Sequence, residues 1–332
     1  MAVSEGGALH LATLAAHADW SVDPRKRWMT LAHRTRTGWQ VTAPEPVGDI
    51  VTLLARLRQA AQGGAVALGV DLPIGVPRAY AALRREGGFL HFLQQTVLWP
   101  DFFRVCASLD ELHAERPFYP ARGVRGMTRA AHAVALGLGD AWGLSRACDR
   151  ATAERPAGAP LFWTLGANQS GKAAIDAWRD LLAPAARAGA IRLWPFEGAL
   201  GPLLAPGTIA VAETYPAEAL RHLGLRVRGS KRRQADRAAL ADDLLGVMRP
   251  LGSRPDMALV GAARDGFGAD AAGEDRFDCL LGVLCVINVL NGGRPDGVPT
   301  DPWLPRWEGW VLGQTAMPLR LPQALPLPNI GP

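Results

Sequence analysis

No window of the sequence approaches the ~20 consecutive apolar residues that a helix needs to cross a bilayer, so no membrane-spanning segment is expected. Cysteine is sparse: Cys106, Cys148, Cys279 and Cys285 form no CxxC pair and no zinc-like spacing. This speaks against a structural zinc site and fits a reducing compartment, where thiols pack as small hydrophobes. Histidine lacks a catalytic pattern. His10, His33, His91, His113, His132 and His222 fall into no triad-like or HExxH arrangement, and His17 has only Asp19 close by. Ser–His and Cys–His nucleophilic chemistry is therefore not expected. A signal peptide is not expected either: Glu5, with no basic n-region, precedes the apolar stretch "ALHLATLAAHA", and His10 and His17 interrupt it. With no internal repeat and no low-complexity tract, the expectation is a soluble, cytoplasmic chain.

What the sequence does contain is the makings of a sizeable core. It has 332 residues, 48% hydrophobic and 20% charged, which is ordinary globular composition. Gly 37 and Pro 26 imply many turns and loop-rich connections. A net charge of +5 and a pI near 9.4 lean towards anionic partners, although Arg- and Ala-rich composition accounts for the same charge without one.

Read along the chain, residues 9–20 form a first strand that ends in Asp19-Trp20, and "SVDPRKR" turns at Pro24. "RWMTLAHRT" and "GWQVTAPEPV" are two short strands joined at Gly38, completing a meander. "VGDIVTLLARLRQAAQGG" has helical periodicity, with Leu53, Leu54 and Leu57 on one face and Gly63-Gly64 as the stop. "AVALGVD" is a continuous apolar run, as expected of a central strand buried on both faces. Residues 76–165 read as an irregular, partly helical insertion. "NQSGKAAIDAWRDLLAPAARAG" is an amphipathic helix, and "IRLWPF" and "GTIAVAETYP" are strands, the second ending on Glu213. "AEALRHLG" and "QADRAALADDLLGVMRPLG" are helices, and "EDRFDCLLGVLCVINVLNGG" is a long apolar helix opening on Asp275 and Asp278. From about 293 the chain is Pro-rich and is expected to wrap the surface as an extension packed on the domain. The plan is mixed α/β: an antiparallel meander, then parallel strands, flanked by helices, in one domain over 1–292.

In this plan Asp19, Asp71 and Glu213 each end a strand. If those strands are parallel neighbours, all three lie on the carboxyl edge of the sheet, where open α/β sheets bind ligands. Asp275 and Asp278 are three apart on a helix and share a face. Carboxylates converging at one edge repel one another unless cations offset them, and Mg²⁺ or Mn²⁺ prefers such oxygen donors. Two ions ~3.5–4 Å apart would clamp an in-line displacement at phosphorus. Each acid also has a plainer role as a turn, cap or first-turn residue.

The pieces "HADWSVDPRKRW", "VALGVDLPIGVP", "SRACDRATAE", "ANQSGKAAI", "LWPFEG", "VAETYPAEAL" and "EDRFDCLLG" occur in the order of a known family. Over roughly residues 10–292 the sequence resembles the domain-of-unknown-function family described as predicted nucleases with a ribonuclease H-like fold. Its most specific pieces are Asp-x-Pro after the strand, Glu-x-Tyr-Pro and Asp-x-x-Asp, the last also similar to the ending of bacterial Holliday-junction resolvases. The resemblance implies Asp19, Asp71 and Asp278 as metal ligands, with Asp275 and Glu213 close by. It also implies that Arg146 and Asp149 of "RACD" face the site and contact substrate.

Competing chemistries are weaker. "GANQSGKA" fits G-x-x-x-x-G-K, but Ala173 stands where a P-loop needs Ser or Thr for Mg²⁺. The better reading is a helix N-terminus whose free N–H groups and Lys172 attract a phosphate. Sugar kinases and actin-like ATPases share the core but carry glycine-rich phosphate loops; here "SVDPRKR" has no glycine and Gly75 stands alone. The basic stretch "GSKRRQADR", with Lys231, and Arg116, Arg122, Arg125 and Arg129 would neutralise a nucleic-acid backbone, or serve as solvated faces. The expected activity is Mg²⁺- or Mn²⁺-dependent hydrolysis of nucleic acid. The alternatives are a Mg-nucleotide phosphotransferase or ATPase on the same core, or a basic nucleic-acid-binding module without turnover.

Overall fold

Val66–Val70 is buried along its whole length. A run of this kind needs cover on both faces, and the computed structural model, which describes residues 12–166, 170–321 and 325–327, supplies it. The strands are β1 Leu14–Asp19, β2 Trp28–Thr35, β3 Gly38–Val41, β4 Glu45–Pro46, β5 Val66–Val70, β6 Arg192–Leu193, β7 Ile209–Glu213 and β8 Ser253–Pro255. They form one sheet in the order β6-β7-β5-β1-β2-β3-β8, with β4 paired to β2. β1, β2 and β3 are an antiparallel meander, and β1, β5, β7 and β6 are parallel. This is the mixed sheet flanked by helices that the sequence led us to expect.

Successive strand residues point to opposite faces, and the two cores follow that rule. Leu14, Ala16, Ala18, Leu68, Val70 and Val211 pack against the insertion and the segment around Trp178, Trp303 and Trp307. Ala15, Ala67, Ala210 and Ala212 pack on the other face, against the Gly273–Leu290 helix and its neighbours. That helix is apolar on nearly every side because β1, β2, β5 and the Pro216–His222 helix surround it. It approaches β1 so closely that a Cβ at Gly282 would lie 2.1 Å from the His17 ring.

Several elements differ from expectation. β8 is a three-residue strand beyond β3 with no apolar pattern of its own. The helix read over "QADRAALADDLLGVMRPLG" is two helices, Gln234–Ala238 and Ala241–Met248. Ser170–Arg187 is helical with a π-turn at Trp178–Leu182. The Pro-rich C-terminal part does not simply wrap the surface, because Trp303, Leu304, Trp307, Trp310, Val311 and Leu312 are all buried. Six large apolar side chains within ten residues outweigh the prolines. Residues 9–11 of the first expected strand and 167–169 of "GANQSGKA" lie outside the described residues.

Candidate metal and phosphate site

The parallel register decides which acids meet. Ala18 pairs with Val70, and Val70 with Glu213. Asp19 and Asp71 are therefore level with each other and share a face, while Glu213 stands one residue short and points to the opposite face. The Asp71 N–H donates to the Ala18 carbonyl at 3.2 Å, extending the pairing past β5.

On the face of Asp19 and Asp71, the first turns of the Gly273–Leu290 helix bring Glu274, Asp275 and Asp278. Burial and the charges of Asp71, Asp278 and Asp275 hold the Asp19 carboxyl well above its usual range. Burial, then Asp278, pushes Asp71 up to about 7. Asp278 rises to about 6 by burial, against the pull of Lys231, and burial also raises Asp275. Lys231 is the counter-charge: its ammonium donates to Asp278 Oδ2 and lies 3.4 Å from Glu274 Oε1. Two buried carboxylate oxygens, Asp278 Oδ1 and Asp275 Oδ2, have no hydrogen-bond partner among the described residues. Such oxygens suit a hard cation and carry a desolvation cost without one.

A cavity of about 470 Å³ opens over Asp71, walled by Trp20, Arg155, Lys172, Tyr215, Arg221 and Lys231. Glu218 holds two of the cations, Arg155 at 3.4 Å and Arg221 at 3.1 Å. Lys172, in the first turn after Ser170, forms no ion pair with any described residue and is the cation left for an incoming anion. The helix begins at Ser170, and residues 167–169 of the expected phosphate-binding turn lie outside the described residues.

Glu213 belongs to a separate, closed network. The Arg146 guanidinium donates to Glu213 at 2.6 and 2.7 Å and to Asp149 at 2.8 Å twice, and the Ile74 N–H donates to Glu213 at 2.7 Å. Arg146 and Asp149 are fully buried. Arg146 and Asp149 were expected to contact substrate; here every guanidinium nitrogen bonds inside the protein, to Asp149 and Glu213. Glu213 in turn is a supporting residue behind β5, not a member of the Asp19–Asp71–Asp278 cluster.

Among the described residues, Cys148, Asp149 and Glu213 place donor atoms within 4.8 Å of one another, a buried set that could hold a metal ion. Here Arg146 already bridges its two carboxylates, and burial pushes the Cys148 thiol far up, away from the thiolate a metal would need. Among the described residues the Asp19–Asp71–Asp278 acids do not bring three donor atoms within 4.8 Å of one another, and Lys231 stands beside Asp278.

Sequence reasoning placed Lys231 on a basic face bound for substrate; instead its ammonium lies among the acids, although it also edges the cavity. Glu274, Arg155, Arg221 and Trp20 were missed. Glu274 adjoins Asp275 in "GEDRFD" and was within reach of the same spacing argument, whereas nothing local marks the arginines.

No curated protein and no solved structure gives a significant match to this chain. The model of the family described as "Protein of unknown function (DUF429)" matches residues 19–303, from the end of β1 to Trp303, and the chain belongs to that family.

Proposed function

We propose that this protein is a divalent-metal-dependent hydrolase of phosphodiester bonds in nucleic acid, built on a ribonuclease H-like core. The observation that carries the reading is the pair of orphaned buried oxygens, Asp278 Oδ1 and Asp275 Oδ2, beside a cationic cavity. The donor set is all carboxylate, which fits Mg²⁺ or Mn²⁺ and not a softer ion. Asp19, Asp71 and Asp278 would hold the ion, with Asp275 as a further ligand. When bound, such an ion stabilises charge developing at phosphorus and acidifies water near neutral pH.

The chain's own groups do the rest. Lys172 binds the phosphate, while Arg155 and Arg221, fixed by Glu218, set a positive wall without collapsing onto Asp71. Trp20 and Tyr215 bound the space beside them. Glu213 and Arg146 brace the ends of β5 and β7 from behind.

A phosphotransferase reading has less support. The lone glycine after β5 has another duty: a Cβ at Gly75 would lie 2.1 Å from the Glu308 carbonyl, so it lets two backbones cross and does not cradle phosphate.

The test is a crystal soaked in Mn²⁺, read by anomalous scattering, with cleavage of single-stranded, duplex and junction substrates assayed beside Asp71→Ala. A peak at Asp19, Asp71 and Asp278, with cleavage lost in the variant, supports the reading. Full metal-dependent cleavage by Asp71→Ala would sink it. Salt-sensitive nucleic-acid binding that persists without turnover or metal would instead favour a binding module.

A further inference from the structure

Asp278 uses its two oxygens differently. Oδ2 accepts from the Lys231 ammonium, and Oδ1 is buried with no partner among the described residues. The free Asp275 Oδ2 lies on the same helix face one turn earlier. The cluster therefore has one flank already occupied by a positive charge and another still lacking one.

The ammonium is not there by the chance swing of a surface side chain. Lys231 lies in a turn fastened at several points. Arg237, itself buried, donates to the Lys231 carbonyl and to the carbonyls of Gly266 and Gly268 at 2.8 and 2.7 Å. The Ser230 N–H donates to Asp236 at 2.8 Å, and Asp236 is in turn held by Arg233 at 2.6 Å. This turn delivers Lys231 to Asp278 from a separate part of the chain, between the Pro216–His222 and Gln234–Ala238 helices.

Crowding points the same way. The Lys231 ammonium already occupies Asp278 Oδ2 and lies 3.4 Å from Glu274, so a second divalent ion on that flank would face a fixed positive charge at the same carboxylate.

We infer that Lys231 is a built-in cation of the carboxylate cluster, and that the site takes a single divalent ion, beside Asp278 Oδ1 and Asp275 Oδ2, instead of two. This rests on the metal reading proposed above. Lys231 would then be both a fixed charge towards a transferred phosphate and the determinant of metal count.

The test is Mn²⁺ binding to the metal-free full-length chain, counted by equilibrium dialysis and by the loss of the free-Mn²⁺ electron paramagnetic resonance signal. Wild type should bind one Mn²⁺ per chain. Lys231→Met should bind two, or one at least tenfold more tightly, and Lys231→Arg should keep the wild-type count. Arg226→Met, which removes an exposed charge elsewhere, should behave as wild type. A cooperative unfolding transition and a wild-type far-ultraviolet circular dichroism spectrum show that the variants fold. Two ions on wild type, or identical binding by wild type and Lys231→Met, would overturn the inference and leave the metal reading standing. No Mn²⁺ on wild type would remove the metal reading, and this inference with it.

Discussion

Asp71→Asn should make the metal-free protein more stable, and by an amount that depends on pH in a set direction. The folded protein raises the Asp71 pKa from 3.8 to about 7. A carboxyl raised on folding binds more protons in the native state than in the unfolded chain between those values, so stability falls as pH climbs through that window. Below about pH 4 both states are protonated and Asp71 costs nothing. Above about pH 7 the native carboxylate is charged among Asp19, Asp278 and the apolar edge of the sheet. At about 1.4 kcal/mol per pKa unit, that charge costs at most about 4 kcal/mol at high pH. Asparagine keeps the shape and removes the charge. The gain in unfolding free energy over wild type should be about 2–3 kcal/mol larger at pH 8 than at pH 5. Urea denaturation in EDTA at the two pH values measures it. With saturating Mn²⁺ the order should invert, because an ion bound only to the folded wild type adds stability by mass action. If Asp71→Asn destabilises equally at both pH values, Asp71 is a turn residue held by hydrogen bonds, and the electrostatic account of the site fails.

Glu213→Ala should act in the opposite sense, costing about 3–5 kcal/mol at neutral pH because it removes one carboxylate from a buried guanidinium, as chemical denaturation would show. Gly282→Ala should destabilise by about 1–3 kcal/mol through overpacking against His17, with a smaller loss when His17→Ala is added; a double-mutant cycle on unfolding free energies reads the coupling. His17 itself is buried with a pKa lowered to about 3 by desolvation, so this coupling should be the same at pH 6 and pH 8. Lys172→Met should raise KM at least tenfold with little change in kcat once a substrate is found, since Lys172 lies on the cavity wall and not among the acids.

The sequence shows much of this where the signal is local. The short apolar run ending on Asp71 is bounded by Gly63-Gly64 and Pro73, which favours a strand buried on both faces and puts its carboxylate at a sheet edge. Asp275 and Asp278 share a face by spacing alone. Faces within the sheet are less visible: Asp19, Asp71 and Glu213 all end strands, and only the register, offset by one residue at β7, sends Glu213 to the other side. Arg146 was expected to face the site with Asp149, and nothing nearby in sequence shows that Glu213, 67 positions on, will share its guanidinium. Lys231 fails for a similar reason. Its basic neighbours suggest a solvated stretch, while its partner Asp278 is 47 residues away. β8 has no pattern, since three residues pairing with one edge need no periodicity.

The buried segment Trp303–Leu312 has a consequence for how the chain is made. The Val76 N–H donates to the Trp307 carbonyl at 2.9 Å, and the Leu312 N–H to the Glu213 carbonyl at 2.8 Å. β7 is finished when residue 213 is added, yet the Leu312 N–H that its last carbonyl accepts from comes only when residue 312 is made. At typical rates of synthesis that is roughly 5–20 s later. During that interval the ends of β5 and β7, which carry Asp71 and Glu213, are bare of their seal while the rest of the sheet is already available. The nascent protein thus keeps the end of β7, beside the Glu213–Arg146 network, open during synthesis, and the moment of closure is set by Trp307 and Leu312, residues that follow the end of the family match.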